Sequence, residues 1–480
     1  MPDSYFYRLF LILIFLSLTL GCLPSSSPIR DISLQKKANQ QLLVIKHVTV
    51  LPMTPGGEVL PNVTVIISNG RISSLNGPIP EQAQIIDGSG KWLMPGLIDM
   101  HVHVPTDIHF GKQGPTQGAT IFFDTQDVMT PYIANGVTTI FDLNSKAEHF
   151  GQRNDIARGD AIGPRMALAA LINGGAGEGR NVNTASDGAQ AVRSAKAEGY
   201  EFIKLYSDLN VETYKAIIEE AHKQGIKTIG HIPNAFQGKL QQAFVAHFGM
   251  VAHAEEFSKQ TKTFNQEDAQ RFAHLAKENG TWLCPTLTTM ERILSQTRSL
   301  DELRASPLLN YVHPLLQSKW LTANNYNRNT SPALIAHMEQ MVDFHVRLVR
   351  AFKQAGVPIV VGTDTGVSGV MPGFAVHDEM ELLVKAGLTP LETLSSATRL
   401  AAIWLGIDSQ VGTVEVGKRA DLILLEANPV SDIQNTRKIA GVFVNGRWLD
   451  RSTLQAMLSD LSKRNHAAKD DYDWSKRRDY

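Results

Sequence analysis

Eight short apolar runs, spaced along the middle of the chain with helical patterns between several of them, constrain the fold most. They are Leu97-Ile98-Asp99-Met100, Thr138-Thr139-Ile140-Phe141, Met166-Ala167-Leu168-Ala169-Ala170, Phe202-Ile203-Lys204-Leu205, Lys227-Thr228-Ile229-Gly230, Met250-Val251-Ala252, Trp282-Leu283-Cys284 and Pro358-Ile359-Val360-Val361. Between the fourth and fifth, Val211 to Gln224 puts Tyr214, Ile217, Ile218 and Ala221 on one helical face, and Gly225 supplies the stop. Eight strand–helix units imply an α/β chain folded as a closed parallel (β/α)8 TIM barrel. The longest interval, Thr288 to Arg350, exceeds one helix and predicts a lid or substrate-binding insertion.

The flanks read differently. Val63-Thr64-Val65-Ile66-Ile67-Ser68 runs into Asn69-Gly70 and Arg71-Ile72, and the same device returns at Val442-Phe443-Val444, Asn445-Gly446, Arg447-Trp448. Asn-Gly between apolar alternations marks a tight hairpin, because both turn positions need positive φ. Residues 41–95 and 404–450 are therefore assigned to one small β-sandwich domain built from both chain ends. Residues 96–403 are assigned to the barrel, and 451–480 to a polar C-terminal tail.

The first 22 residues form a unit of their own. Arg8 precedes Leu9-Phe10-Leu11-Ile12-Leu13-Ile14-Phe15-Leu16, and the segment closes on Leu20-Gly21-Cys22. A short apolar run behind a basic residue, ending in a small residue, reads as a secretory signal. It is shorter than a comfortable span of about 20 residues. Its end resembles a bacterial lipobox, with Cys22 as the lipidated residue, residues 1–22 as the signal and 23–40 as a tether. Leu23 after Cys22 favours the outer membrane facing the periplasm. One other cysteine remains, Cys284, read as a small buried hydrophobe. A formal net charge of −1 argues against a nucleic-acid partner. The expected partner is a small-molecule substrate, with membrane contact only through the lipid. The sequence leaves the oligomeric state open, a homo-oligomer included.

The chemistry gathers at the strand ends. His101 and His103 close the first run; residues two apart in a strand point the same way, here towards the mouth where barrel chemistry sits. Lys204 lies at the end of the fourth, His231 of the fifth, His253 of the sixth and Asp364 of the eighth. Buried charges are costly unless paired or metal-bound, so core packing does not account for this set.

These residues resemble the amidohydrolase superfamily. Pro95-Gly96-Leu97-Ile98-Asp99-Met100-His101-Val102-His103 matches its first-strand motif, and Gly412-Thr413-Val414-Glu415-Val416-Gly417-Lys418-Arg419-Ala420-Asp421-Leu422-Ile423 matches its return into the small β domain. The likeness runs from about Leu43 to Leu449 and points to the imidazolonepropionase-like branch containing metal-dependent Xaa-Pro/Xaa-Arg dipeptidases. It implies two divalent metal ions, zinc being well suited. His101, His103 and Asp364 would hold one and His231 and His253 the other, with a CO2-derived carbamate on Lys204 bridging both. A carbamate is an anion able to span ions about 3.5–4 Å apart. The other reading of Lys204 is an ordinary cation paired with Asp208. Deaminases of the superfamily usually carry a Glu soon after the fifth-strand His, where this chain has His231-Ile232-Pro233-Asn234.

The activity so implied is hydrolysis of a small amide, a dipeptide or N-acyl amino acid, by a metal-bridging hydroxide. Asp364 would carry the proton, and Tyr206, two residues after Lys204, would polarise the carbonyl. An esterase, lactonase or phosphotriesterase on the same scaffold is the alternative; a binding protein without catalysis is the third reading. His377, after the eighth run, and Arg180, in Asn173-Gly174-Gly175-Ala176-Gly177-Glu178-Gly179-Arg180, are candidate substrate contacts; Arg180 would bind a carboxylate. For His377 a helix-start residue is the plainer reading.

Overall fold

The computed structural model describes residues 42–109, 120–175 and 177–476. The signal segment, the tether and Cys22 lie outside the described residues. Seven parallel strands form the barrel wall: β1 (Leu97–Val102), β2 (Val137–Asp142), β3 (Arg165–Asn173), β4 (Phe202–Leu205), β5 (Lys227–Gly230), β6 (Met250–Ala252) and β7 (Trp282–Cys284). They pair in chain order, with Leu171 opposite Lys204, Lys204 opposite Ile229 and Ala252 opposite Cys284. The eighth stave, residues 358–365, closes the ring without becoming a regular strand. It bridges β7 at Leu283–Ile359 and β1 at Val102–Thr365, and Val361 O accepts the Met100 N–H at 2.9 Å.

The physical reason for that irregularity lies in Asp99. Its fully buried carboxylate accepts the Thr363 N–H at 3.0 Å and the Thr363 hydroxyl at 2.6 Å. Asp364 then turns with φ at 58°. A side chain at Gly362 would place its Cβ 2.3 Å from Cys284 Sγ, so the stave packs too closely here for anything larger.

Ile98, Met100, Phe141, Ala167, Ala169, Phe202, Ile229, Met250 and Cys284 fill the barrel interior. Trp404 joins this cluster and stacks on Phe202 with centroids 5.4 Å apart. Cys284 is thus the buried hydrophobe expected of it. Because Trp404 and Leu405 end the helix Arg399–Leu405 in this interior cluster, the small domain resumes later than position 404; its first returning strand is Leu422–Leu425.

That domain is an eight-stranded sheet from both chain ends, wrapped around its own apolar core of Leu43, Val65, Ile67, Leu93, Leu422 and Phe443 among others. Both Asn-Gly hairpins form as predicted, with φ of 52° and 70° at Asn69-Gly70 and 50° and 75° at Asn445-Gly446. The turns touch: a Cβ on Gly70 would lie 3.2 Å from Gly446 Cα.

The predicted insertion is helical. It contains α1 (Leu287–Arg298), α2 (Pro314–Thr322) and α3 (Pro332–Ala355), the last capped by Ser331 and stopped by Gly356 at φ 71°. Later come α4 (Ala375–Lys385) and α5 (Arg451–Ala467). The last corrects the expectation of a polar tail. Asp450 caps α5, Leu454 and Leu461 are buried, Asn465 donates to Asn310 O at 2.9 Å, and Arg464 pairs with Asp127. Among the described residues no helix is long and apolar enough to cross a membrane.

Candidate metal centre

Three ligand groups converge at the mouth. His101 Nε2 lies 3.2 Å from His103 Nε2 and 3.2 Å from Asp364 Oδ1; His103 Nε2 lies 3.0 Å from the same oxygen. A tetrahedral ion with ligands at 2.0–2.1 Å separates them by about 3.3 Å, so this triangle has the dimensions of a cation site. Ile98 and Met100 occupy the barrel interior, and strict alternation would send His101 outward. Pairing with β2 breaks register between Asp99 and Val102, and His101 reaches the cluster instead. Asp364 is fixed from behind, its N–H donating to His101 O at 2.7 Å.

The second pair is adjacent. The His231 and His253 rings meet edge to face at 4.9 Å, and His253 lies 4.6 Å from His101, centroid to centroid. His253 Nδ1 is 2.8 Å from Thr286 Oγ1, and His231 Nδ1 is 2.8 Å from Ser207 Oγ and 3.1 Å from Glu256 Oε1. Each ring therefore spends Nδ1 on a protein partner and leaves Nε2 for a ligand bond. Burial holds His101, His231 and His253 below the ordinary imidazole range, which keeps their lone pairs available. Burial works to raise Asp364, yet His253 and His103 hold it below the usual carboxylate value.

Lys204 is fully buried, and its Nζ has no hydrogen-bond partner among the described residues. The Asp208 carboxylate instead accepts from the side-chain amides of Asn173 and Asn234, each at 3.5 Å. An unpaired buried ammonium is costly, and burial pulls Lys204 down to about 8. A neutral amine here is the form that reacts with CO2. This unpartnered nitrogen among neutral imidazoles fits the two-ion set with a bridging carbamate.

The centre opens into a cavity of about 660 Å³. Met290, Ile293, Leu316 and Trp320, from α1 and α2, form one wall; Asn144, Lys146 and Glu178 line another part. Tyr206 lines it too, its ring 4.4 Å from His231. A side cavity of about 420 Å³ shares Asn144, Lys146, Leu171 and Glu178 with the first and reaches Arg180 and Tyr200. Arg180 thus lies off the central cavity. It is held by both carboxylate oxygens of Glu198 and lies 5.4 Å from the centroid of the Tyr200 ring.

His377 is not brought to the site. It is buried on α4, with Nδ1 2.9 Å from Thr436 Oγ1 and Nε2 3.1 Å from Asn135 O, and burial pushes it down to about 3. Its expected role as a substrate contact gives way to a structural one, because both ring nitrogens are spent on the protein. Sequence reasoning missed Glu256. The available signal was a carboxylate three residues after a candidate ligand, in His253-Ala254-Glu255-Glu256.

Comparison with known proteins bears on the family and the fold. The family model described as the amidohydrolase family matches residues 92–449. Imidazolonepropionase of Thermoplasma volcanium is 22% identical over 429 residues, covering 84% of this chain and 94% of its own. Two solved structures share the fold. A Xaa-Pro dipeptidase with bound methionine superposes with a TM-score of 0.64 at 20% identity, over 85% of this chain and 100% of its own. Bottromycin amidohydrolase gives 0.69 at 22%, over 92% and 95%. The chain belongs to the amidohydrolase family. It is a hydrolase acting on carbon–nitrogen bonds.

Proposed function

We propose that this enzyme is a binuclear metal-dependent amidase that cleaves a dipeptide or N-acyl amino acid carrying a free carboxylate. His101, His103 and Asp364 would hold one divalent ion and His231 and His253 the other, with carboxylated Lys204 between them; zinc suits the donor set. Bound there, the ions would supply a water nucleophile at neutral pH and polarise the scissile carbonyl.

The observation that carries the reading is the division of labour in Asp364. Its Oδ1 lies 3.2 and 3.0 Å from the two histidines, while Oδ2 lies 3.9 Å from His253 Nδ1. Oδ2 is thus the atom placed to accept the nucleophile's proton and deliver it to a leaving nitrogen, which amide cleavage requires. Tyr206, raised by burial and so protonated across the working range, donates from its hydroxyl towards the carbonyl oxygen. The apolar wall of Met290, Ile293, Leu316 and Trp320 receives an apolar substituent. Lys146, shared by both cavities, offers a carboxylate its first cation, and Arg180 takes one on a longer arm into the side cavity. The reading includes export and lipidation at Cys22, which would place the enzyme among peptides from its surroundings.

The test is turnover by protein supplied with zinc and bicarbonate, using dipeptides and N-acyl amino acids beside esters, lactones and phosphotriesters, with ions per chain measured on the same sample. Amide cleavage with two ions is expected. Efficient lactone or phosphotriester hydrolysis with no amide cleaved would overturn it.

A further inference from the structure

The two histidines of the second ion are backed unequally. Behind His253 stands a neutral hydroxyl, Thr286 Oγ1 at 2.8 Å. Behind His231 stand both a hydroxyl, Ser207 Oγ at 2.8 Å from Nδ1, and a carboxylate. Glu256, on the one-turn helix Glu255–Ser258, is fully buried, and its Oε1 lies 3.1 Å from His231 Nδ1. Its Oε2 accepts the N–H of Ile232, the residue after His231, at 3.1 Å. Both oxygens therefore grip the same short stretch of chain, one by the ring and one by the backbone.

The third partner is Lys259, whose Nζ donates to Glu256 Oε1 at 2.8 Å. A plain ion pair does not explain the arrangement. Lys259 also reaches Glu255 at 3.3 Å and keeps solvent contact, so it does not need a buried acid. Glu256, by contrast, is enclosed, and its carboxylate faces the His231 ring, the Ile232 N–H and the Lys259 ammonium. A carboxylate on Nδ1 fixes the proton there, aims the Nε2 lone pair into the cavity and makes that nitrogen a stronger donor.

We infer that Glu256 is a positioning residue for the second metal ion, holding His231 in its ligating tautomer, with Lys259 as the cation paired to the carboxylate. The inference rests on the binuclear reading above. It predicts an asymmetry: loss of the Glu256 charge weakens the ion on His231 and His253 and spares the ion on His101, His103 and Asp364.

The experiment compares wild type, Glu256→Gln and Glu256→Ala by elemental analysis after dialysis against chelators of graded strength, with far-ultraviolet circular dichroism to read the fold. Glu256→Gln keeps the size and an acceptor oxygen and removes only the charge, so it carries the test if the alanine variant does not fold. The expected result is about 10–100-fold weaker binding of one ion in Glu256→Gln, the second ion unchanged, and a larger loss in Glu256→Ala. Cobalt-substituted protein should show the same step as a change in the visible bands of one site only. Two ions held with wild-type affinity in Glu256→Gln, or both weakened equally in a folded protein, overturns the role of Glu256. A single ion in wild type overturns the binuclear reading itself, which separates the two failures.

Discussion

Two side chains at the centre can each be tested by a single substitution. Asp364→Asn keeps a donor atom for the ion and loses the ability to take a proton at Oδ2. Turnover should fall by about 10²–10⁴-fold, the usual worth of a positioned acid–base group, while metal content falls less. A near-wild-type kcat would remove Asp364 from proton transfer. Lys204 makes a different prediction, because its burial without a partner is tolerable only if the amine is modified or neutral. Lys204→Ala should lose most activity and the second ion, and short carboxylic acids should restore part of both by taking the carbamate's place. Crystals of active protein showing an unmodified Lys204 would contradict this. Legibility at this scale followed position. The six proposed ligands sit at strand ends, where a polar residue interrupts an apolar run. Glu256 and Asp99 escaped because what they do is written in contacts with residues far along the chain, from Glu256 to Ile232 and from Asp99 to Thr363; for Glu256 the local sequence offered only its spacing from His253. His377 was weighed as a substrate contact because it follows the eighth run, beside the plainer helix-start reading, and its ring is directed at Asn135 and Thr436.

Among the elements, the strands were readable because parallel strands buried on both faces become continuous apolar runs. The eighth run was found, but not its irregularity, since the distortion comes from Asp99 on β1, its neighbour in space but far away in sequence. The helix α5 was missed because polar contacts at its ends do much of the docking, through Asp450, Arg464 and Asn465, with little apolar periodicity to announce it. The helix α1 shows the same dependence on a distant residue. The N–H groups of Leu287 and Thr288 at its start donate to Glu379 of α4 at 3.0 and 2.7 Å, deep in the protein. Those two donors otherwise lack partners in the first turn of a helix. Glu379→Ala should therefore cost about 1–3 kcal/mol in urea unfolding. It should also raise KM for substrates that rest on Met290 and Ile293, which α1 carries. A Glu379→Ala protein with unchanged midpoint and KM would show that the mouth wall does not depend on this cap.

For the molecule as a whole, acid should be a specific weakness, and part of the cause lies outside the metal centre. His345 and His377 are both fully buried, and burial pushes each down to about 3. Asp378, on the same helix as His377, is too weak an influence to reverse this, and Arg437 adds to the depression. His345 has the Ser258 hydroxyl at 3.1 Å from Nε2 and an unpaired Nδ1. In the unfolded chain both titrate near the ordinary value of about 6.5. Between about 3 and 6.5 the unfolded state therefore binds more protons than the folded one, so stability rises with pH across that window. Stated from the other side, the contribution is whole above about 6.5 and is lost as pH falls towards 3. Each histidine should cost about 2 kcal/mol between pH 7 and pH 5. Urea midpoints of metal-free protein at these two pH values read the effect without interference from ion release. His345→Gln, which cannot titrate, should reduce the difference between pH 7 and pH 5 by about 2 kcal/mol, the share of one such imidazole. If the midpoints of wild type and His345→Gln shift by the same amount on acidification, the buried imidazole at 345 is not a source of acid lability.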